Sequence, residues 1–163
     1  MTNRRAPGAA APHDPSPLGD DLSFLLARAN ALSLAAGNAA LAAHGLRVRS
    51  YSVLALAAGD SRPSQRDLAE YLRLDPSQVV ALVDDLEKQG LVRREPDPSD
   101  RRANVVAATP AGHERIAAAQ ASVRSAERDL HSNLTARQRD QLVELLNAVA
   151  FPPRQDAPDP NPA

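Results

Sequence analysis

Two clusters of side chains place usable chemistry at close spacing. In the first, Asp75-Pro76-Ser77-Gln78 reads as a helix start, with Ala81 one turn further on. A glutamine there can pair bidentately with adenine N6 and N7, and a serine can bond a base edge or a phosphate oxygen. The free amides of such a helix end also suit a phosphate. Gln78, three residues beyond Asp75, could instead complete a capping box. In the second cluster, Asp100-Arg101-Arg102 falls between two β-prone stretches. A guanidinium at a hairpin tip is drawn into a narrow A·T-rich minor groove by its enhanced negative potential. Asp100 could hold the Arg102 side chain extended beforehand.

The elements around these clusters follow from spacing. Leu22, Leu25, Leu26, Ala29, Leu32, Ala36, Ala39, Ala40 and Ala43 keep one apolar face, which predicts a long first helix ending near His44-Gly45. A short helix over about 49–58 follows, then one capped by Ser64 and running to about Leu72. Asp75 and Pro76 open the fourth helix, whose Val79, Leu82, Val83 and Leu86 form an inward stripe before Gly90 ends it. Leu91 to Arg94 and Ala103 to Thr109 read as strands joined by a Pro- and acid-rich connector, 95–102. Thr109-Pro110 starts a helix to about His131, and a capping box at Thr135 to Gln138 opens a last helix that points Leu142, Leu145, Leu146 and Val149 inward.

The fold expected is therefore mainly α: a winged helix-turn-helix, residues 49–109, set between dimerisation helices at 18–48 and 110–151. Nine of the 14 prolines lie in residues 1–17 and 152–163, which read as disordered tails. The flanking helices are too long and apolar to be covered by so small a central piece, and a second copy of the chain is the economical cover.

Composition removes several classes. The chain has 163 residues and no cysteine, which excludes disulfides, thiolate metal sites and thiol redox sensing. The four histidines at 13, 44, 113 and 131 have no metal-ligand spacing; His113 and His131 stand roughly 27 Å apart on one helix. No metal and no cofactor is expected. No glycine-rich phosphate loop and no nucleophile-base order supports an enzyme. No apolar run approaches the roughly 18 residues of a membrane span, and the first residues lack a secretory pattern, so a cytoplasmic protein with no membrane partner is expected. A net charge of −1 argues against indiscriminate nucleic-acid binding.

The stretch 67–112, with "LVDDLEKQGLV", "PDPSDRR" and "TPAG", resembles the core of the MarR family of bacterial transcription regulators. The likeness extends through the flanks from about Leu22 to Val149. It implies a homodimer interlocked by its first, fifth and sixth helices. Two recognition helices would enter successive major grooves of a pseudo-palindromic operator, and Arg102 would reach a minor groove. It also implies release by a small aromatic acid or phenol. The crevice for it would lie between the end of the first helix, the start of the second and the fifth, with Asn38, His44, Arg47 and Tyr51 as polar candidates. His44 and Arg47 could equally cap the first helix.

One departure stands out. Relatives often carry an arginine in the recognition helix, where this chain has Ala81 and Asp84-Asp85. Asp85 would repel phosphate. DNA contact should then lean on the wing (Asp100, Arg101, Arg102), on Arg62 and Arg66, and on Lys88, Arg93 and Arg94. The reading is a homodimeric repressor of a neighbouring gene. A winged-helix dimer that docks on proteins, with weak or no DNA binding, is the alternative.

Overall fold

The structure, a computed structural model, describes residues 16–97 and 103–152. Its elements are α1 (Leu22–Leu41) with a 3-10 turn (Ala42–His44), α2 (Val48–Ala57), α3 (Gln65–Leu72), α4 (Pro76–Lys88), β1 (Val92–Pro96), β2 (Asn104–Ala108), α5 (Pro110–Leu130) and α6 (Ala136–Ala150). The chain divides into two compact units that meet between Leu130 and His131.

In the first unit the starts of α1, α3 and α4 are each closed by a short polar side chain at the N-cap. Asp21 accepts from the Phe24 amide at 2.7 Å, and Ser64 forms a reciprocal box with Asp67. Gly90 ends α4 at φ 70°, a conformation costly for any residue with a Cβ, and the chain turns into β1 through Leu91 N–H to Leu86 C=O at 2.9 Å. The inward stripe of α4 is Val79, Val83 and Leu86, all fully buried, with Leu82 half-buried. They meet Leu41, Val53, Leu54, Leu68, Leu91, Val92 and Val106 in one core. α1 packs along α5, and α2 lies between that pair and α3–α4.

The wing is an antiparallel pair, Val92 opposite Ala108 through Pro96 opposite Asn104. Here the expectation is corrected. Glu95 and Pro96 belong to β1, not to the connector. Pro96 is the last paired residue, so the amide it lacks removes no interior bond. The turn before α3 joins the wing: Val106 N–H donates to Pro63 C=O at 2.8 Å and Ser64 bridges Val105. On the other side, Thr109 donates its hydroxyl to Gly90 C=O at 2.6 Å and accepts from Gly112 N–H. Gly112 lies so close to the chain before it that a Cβ would fall 2.1 Å from the Leu91 carbonyl oxygen.

The second unit holds α6, opened by the expected box between Thr135 and Gln138. Its apolar residues are not inward in the single chain. Leu142 is half-buried, but Leu145, Leu146 and Val149 are exposed, Val149 at 60%. α1 behaves likewise, with Leu22, Leu25 and Leu32 open to solvent. Among the described residues one helix, α1 with its 3-10 turn (Leu22–His44), is long and apolar enough by length and composition to cross a membrane. That corrects the expectation that no stretch comes near. Arg28, Asn30 and Asn38 interrupt the apolar run without offsetting its many alanines and leucines.

Candidate nucleic-acid interface

The start of α4 presents a short polar and apolar strip to solvent. Ser77, Gln78, Val80 and Ala81 are all exposed, while Val79 beneath them is buried. Asp75 closes this helix end through Ser77 alone: its carboxylate accepts from the Ser77 amide at 2.8 Å and the Ser77 hydroxyl at 2.5 Å. These bonds hold the Asp75 carboxyl below its usual pKa, the hydroxyl contributing most. Gln78 takes no part in the cap, so the capping-box reading of this residue is replaced by a free amide at the helix start. Ser77 is the opposite case, since its hydroxyl is already committed. Val80, which the sequence did not single out, supplies an apolar surface of the kind that meets a thymine methyl.

The cations divide into three groups. Arg66, the second residue of α3, is exposed beside Glu70 and Arg73 along a groove that reaches Pro76 and Val80. Lys88 is exposed at the far end of α4, ten residues or about 15 Å from Gln78, with its ammonium 3.6 Å from Asp85. Arg93 lies on β1 and Arg62 in the turn before α3, and both pair with Glu95. Asp100, Arg101 and Arg102 lie outside the described residues.

Arg94 has a different role. It sits on the opposite face of β1 from Arg93 and is half-buried, bridging three elements. Its guanidinium pairs with Asp84 at 2.5 Å and with Glu87, both on α4, and Nε donates to Gln65 of α3 at 2.8 Å. The Arg94 amide donates to Glu87 at 3.1 Å. Burial works against its charge, but the Asp84 and Glu87 carboxylates outweigh it and raise its pKa above the usual arginine value. Arg94 therefore clamps the wing onto the recognition helix. The same bonds change the meaning of Asp84: its charge is met from within by Arg94, whereas the more exposed Asp85 has only partial cover from Lys88.

The residues singled out for a ligand separate in space. Asn38 and Arg47 line one crevice of about 460 Å³ together with Leu34, Arg49, Leu82 and Asp85. Its third wall is therefore α4, not α5. Asn38 also accepts from the Val48 amide at 2.9 Å, tying α1 to the start of α2. His44 turns away, its Nε2 within 3.0 Å of the Ser122 hydroxyl on α5, and its carbonyl is capped by Arg115 at 2.6 Å. Tyr51 packs against the core. Arg49, two residues beyond Arg47 in the sequence, adds a second cation to the same crevice.

A model described as "MarR family" matches residues 44–103, from the end of the 3-10 turn through β1 to the residue before β2. A crystal structure of a transcriptional regulator (MarR family) from Rhodococcus sp. RHA1 is 43% identical, with TM-score 0.78, over 83% of this chain and 98% of that one. CouR from Rhodococcus jostii RHA1, bound to p-coumaroyl-CoA, is 44% identical with TM-score 0.77, over 85% of this chain and 98% of its own. The putative transcriptional regulatory protein for the hcr operon of Thauera aromatica is 32% identical over 110 residues. That match takes in 68% of this chain and 64% of the relative, just under two thirds of the latter's length. With a winged helix-turn-helix in place and near-complete coverage of a relative 43% identical, this chain belongs to the MarR family of transcriptional regulators.

Proposed function

We propose that the protein is a homodimeric, sequence-specific DNA-binding regulator that represses a neighbouring gene and is released by a small aromatic ligand. The observation that carries the DNA reading is the start of α4: an uncommitted Gln78 amide beside exposed Val80 and Ala81, on a helix whose buried stripe anchors it to the core. Arg66 and Lys88 flank it, and the clamp at Arg94 fixes where the wing begins. A second copy accounts for the apolar faces of α1 and of α6. The protein-docking alternative drew on Asp84-Asp85, and that support weakens because Asp84 is paired with Arg94.

The test is binding of the purified protein to its own upstream intergenic DNA, with Gln78→Ala and Arg102→Ala alongside. Saturable binding is expected, with a log–log salt slope of about −5 to −7 for six to eight phosphate contacts per dimer. Gln78→Ala should relax discrimination at one base position by about 1–3 kcal/mol. Loss of binding in Arg102→Ala, with the dimer intact, is expected from a wing that reaches the minor groove. Silence of the wild type at low salt on genomic fragments overturns the reading.

For the ligand, the crevice of about 460 Å³ offers Arg47 and Arg49 to an anion and Leu34 and Leu82 to a flat apolar group. It shares a wall with the recognition helix, so a ligand there would touch α4 directly. A relative 44% identical is bound to p-coumaroyl-CoA, which favours an aromatic acyl thioester over the free acid. Release of the DNA complex by p-coumaroyl-CoA, and by neither free p-coumarate nor coenzyme A at equal concentration, is the expected outcome. Release by free p-coumarate alone restores the simple aromatic acid.

A further inference from the structure

We propose that Glu95 is an internal rival of DNA phosphate, holding Arg62 and Arg93 in check and so suppressing attachment to unmatched sequence. The proposal rests on the DNA-binding reading above and adds a residue that sets its specificity. Glu95 divides its two oxygens between the two arginines: Oε2 accepts from Arg62 Nη2 and Oε1 from Arg93 Nε. The arginines remain 43% and 59% exposed while Glu95 is 21% exposed, so the cations face outward around a carboxylate that sits behind them.

These pairs are dispensable for the wing's shape. The segment carrying Arg62 is held by backbone bonds, Val106 N–H to Pro63 C=O and the Ser64–Val105 bridge. The angle of β1 on α4 is held from its other face by Arg94 with Asp84, Glu87 and Gln65. Exposed ion pairs of this kind contribute little to stability. What Glu95 does change is charge, lowering the patch from two positive charges to one. Attachment to arbitrary DNA depends almost wholly on the number of phosphates neutralised. A carboxylate that must be displaced before Arg62 and Arg93 can join weakens that mode most, whereas a matched site also gains base contacts from α4.

The experiment compares wild type, Glu95→Gln and the double variant Arg62→Gln/Glu95→Gln on random-sequence duplex and on the operator-containing fragment, across a salt series. Melting and solution mass confirm that each variant is a folded assembly like the wild type. Glu95→Gln should bind random duplex on the order of five- to tenfold more tightly at low salt. Its log–log slope should steepen by up to about 0.9 for each freed arginine. Affinity for the operator should rise less, so the ratio of specific to random binding falls. Adding Arg62→Gln should take back about half of the gain in slope. A gain of binding is not something a merely damaged wing produces. If the wild type binds its operator and Glu95→Gln binds random duplex no better, this proposal is overturned and the DNA-binding reading stands. If the wild type binds neither duplex, both fall together.

Discussion

The winged-helix region and the flanking helices solve opposite problems with the same kinds of residue. From α2 to β2 most large aliphatic side chains are hidden, with Val53, Leu54, Leu68, Val79, Val83 and Leu86 at 0% exposure and Val80 standing open on α4, and the polar bonds that join elements run inside the chain. In α1 and α6 leucines and valines stand open, among them Leu22 at 66% and Leu145 at 58%. Isolated exposed leucines need no explanation, but a face of them along a helix does. The first region is complete within one chain. The flanks leave apolar faces that the second copy of the proposed dimer would cover. In the proposed dimer the geometry of each winged region would be fixed locally, and the spacing between the two would be left to the flanking helices.

The contrast can be broken hardest from the core. Leu54→Ala should cost about 3–5 kcal/mol, lost transfer energy plus an unfilled cavity, and lower the melting temperature by on the order of 10 °C. Leu145→Ala, on the open face of α6, should leave the fold of the winged region untouched. If melting drops equally for both, the two regions are not different in kind. Gly112→Ala belongs with the core change. Its Cβ would meet a backbone oxygen, which cannot swing aside, so α5 must shift away from Leu91 at a cost of about 1–3 kcal/mol or more.

On the flanks the informative change is one of mass. Leu145→Asp with Val149→Asp should move the solution mass from a dimer toward the 17.3 kDa chain while far-ultraviolet circular dichroism stays close to wild type. Light scattering at micromolar concentration reads this directly. A dimer that survives both substitutions would show that α6 is not its seam, and would leave the exposed face of α1 as the remaining apolar candidate.

Arg94 tests the joint inside the compact region. Arg94→Met removes one positive charge and leaves Asp84 and Glu87 facing each other across the gap. With the arginine 26% exposed and both carboxylates reaching solvent, the loss should be about 1–2 kcal/mol, short of the cost at a fully buried pair. Operator affinity should fall more than stability accounts for, and adding Asp84→Asn should recover part of it. No recovery would mean that Arg94 matters to DNA only through folding.

What could be read in the sequence follows the same division. The starts of α3 and α6 were legible because a cap is a bond between near neighbours: Ser64 with Asp67 and Thr135 with Gln138. The α4 stripe was legible because burial there repeats with the helix. Arg94 was not, because its partners lie seven to 29 residues away and a row of charges looks the same whether it meets phosphate or carboxylate. The crevice was half legible: Asn38 and Arg47 line it, but a turn at Gly45 sends His44 toward α5. The outward face of α6 was misplaced because periodicity tells which residues share a side and not what covers that side.

The smallest effect lies at the caps of the two helices that form the helix-turn-helix. Asp67 accepts from the Ser64 hydroxyl at 2.7 Å and the Ser64 amide at 2.9 Å, and these bonds, the hydroxyl's first, hold its pKa below the usual 3.8. Asp75 is lowered in the same way by Ser77. A carboxyl whose folded pKa lies below its unfolded value binds its proton more readily in the unfolded chain. The stabilisation it gives is therefore fully present above the unfolded value and fades as pH falls through the depressed one. Asp67→Asn and Asp75→Asn should each melt at most a few degrees below wild type at neutral pH. The difference should persist down to about pH 4 and close below the depressed pKa, where the wild-type carboxyls are protonated too. Both groups are largely open to water, so the effect stays small, and it should add across the two caps because each is a local bond on its own helix. A gap that instead widened with acidification would mean the bonds favour the protonated carboxyl, with the Ser64 and Ser77 hydroxyls accepting from it instead of donating.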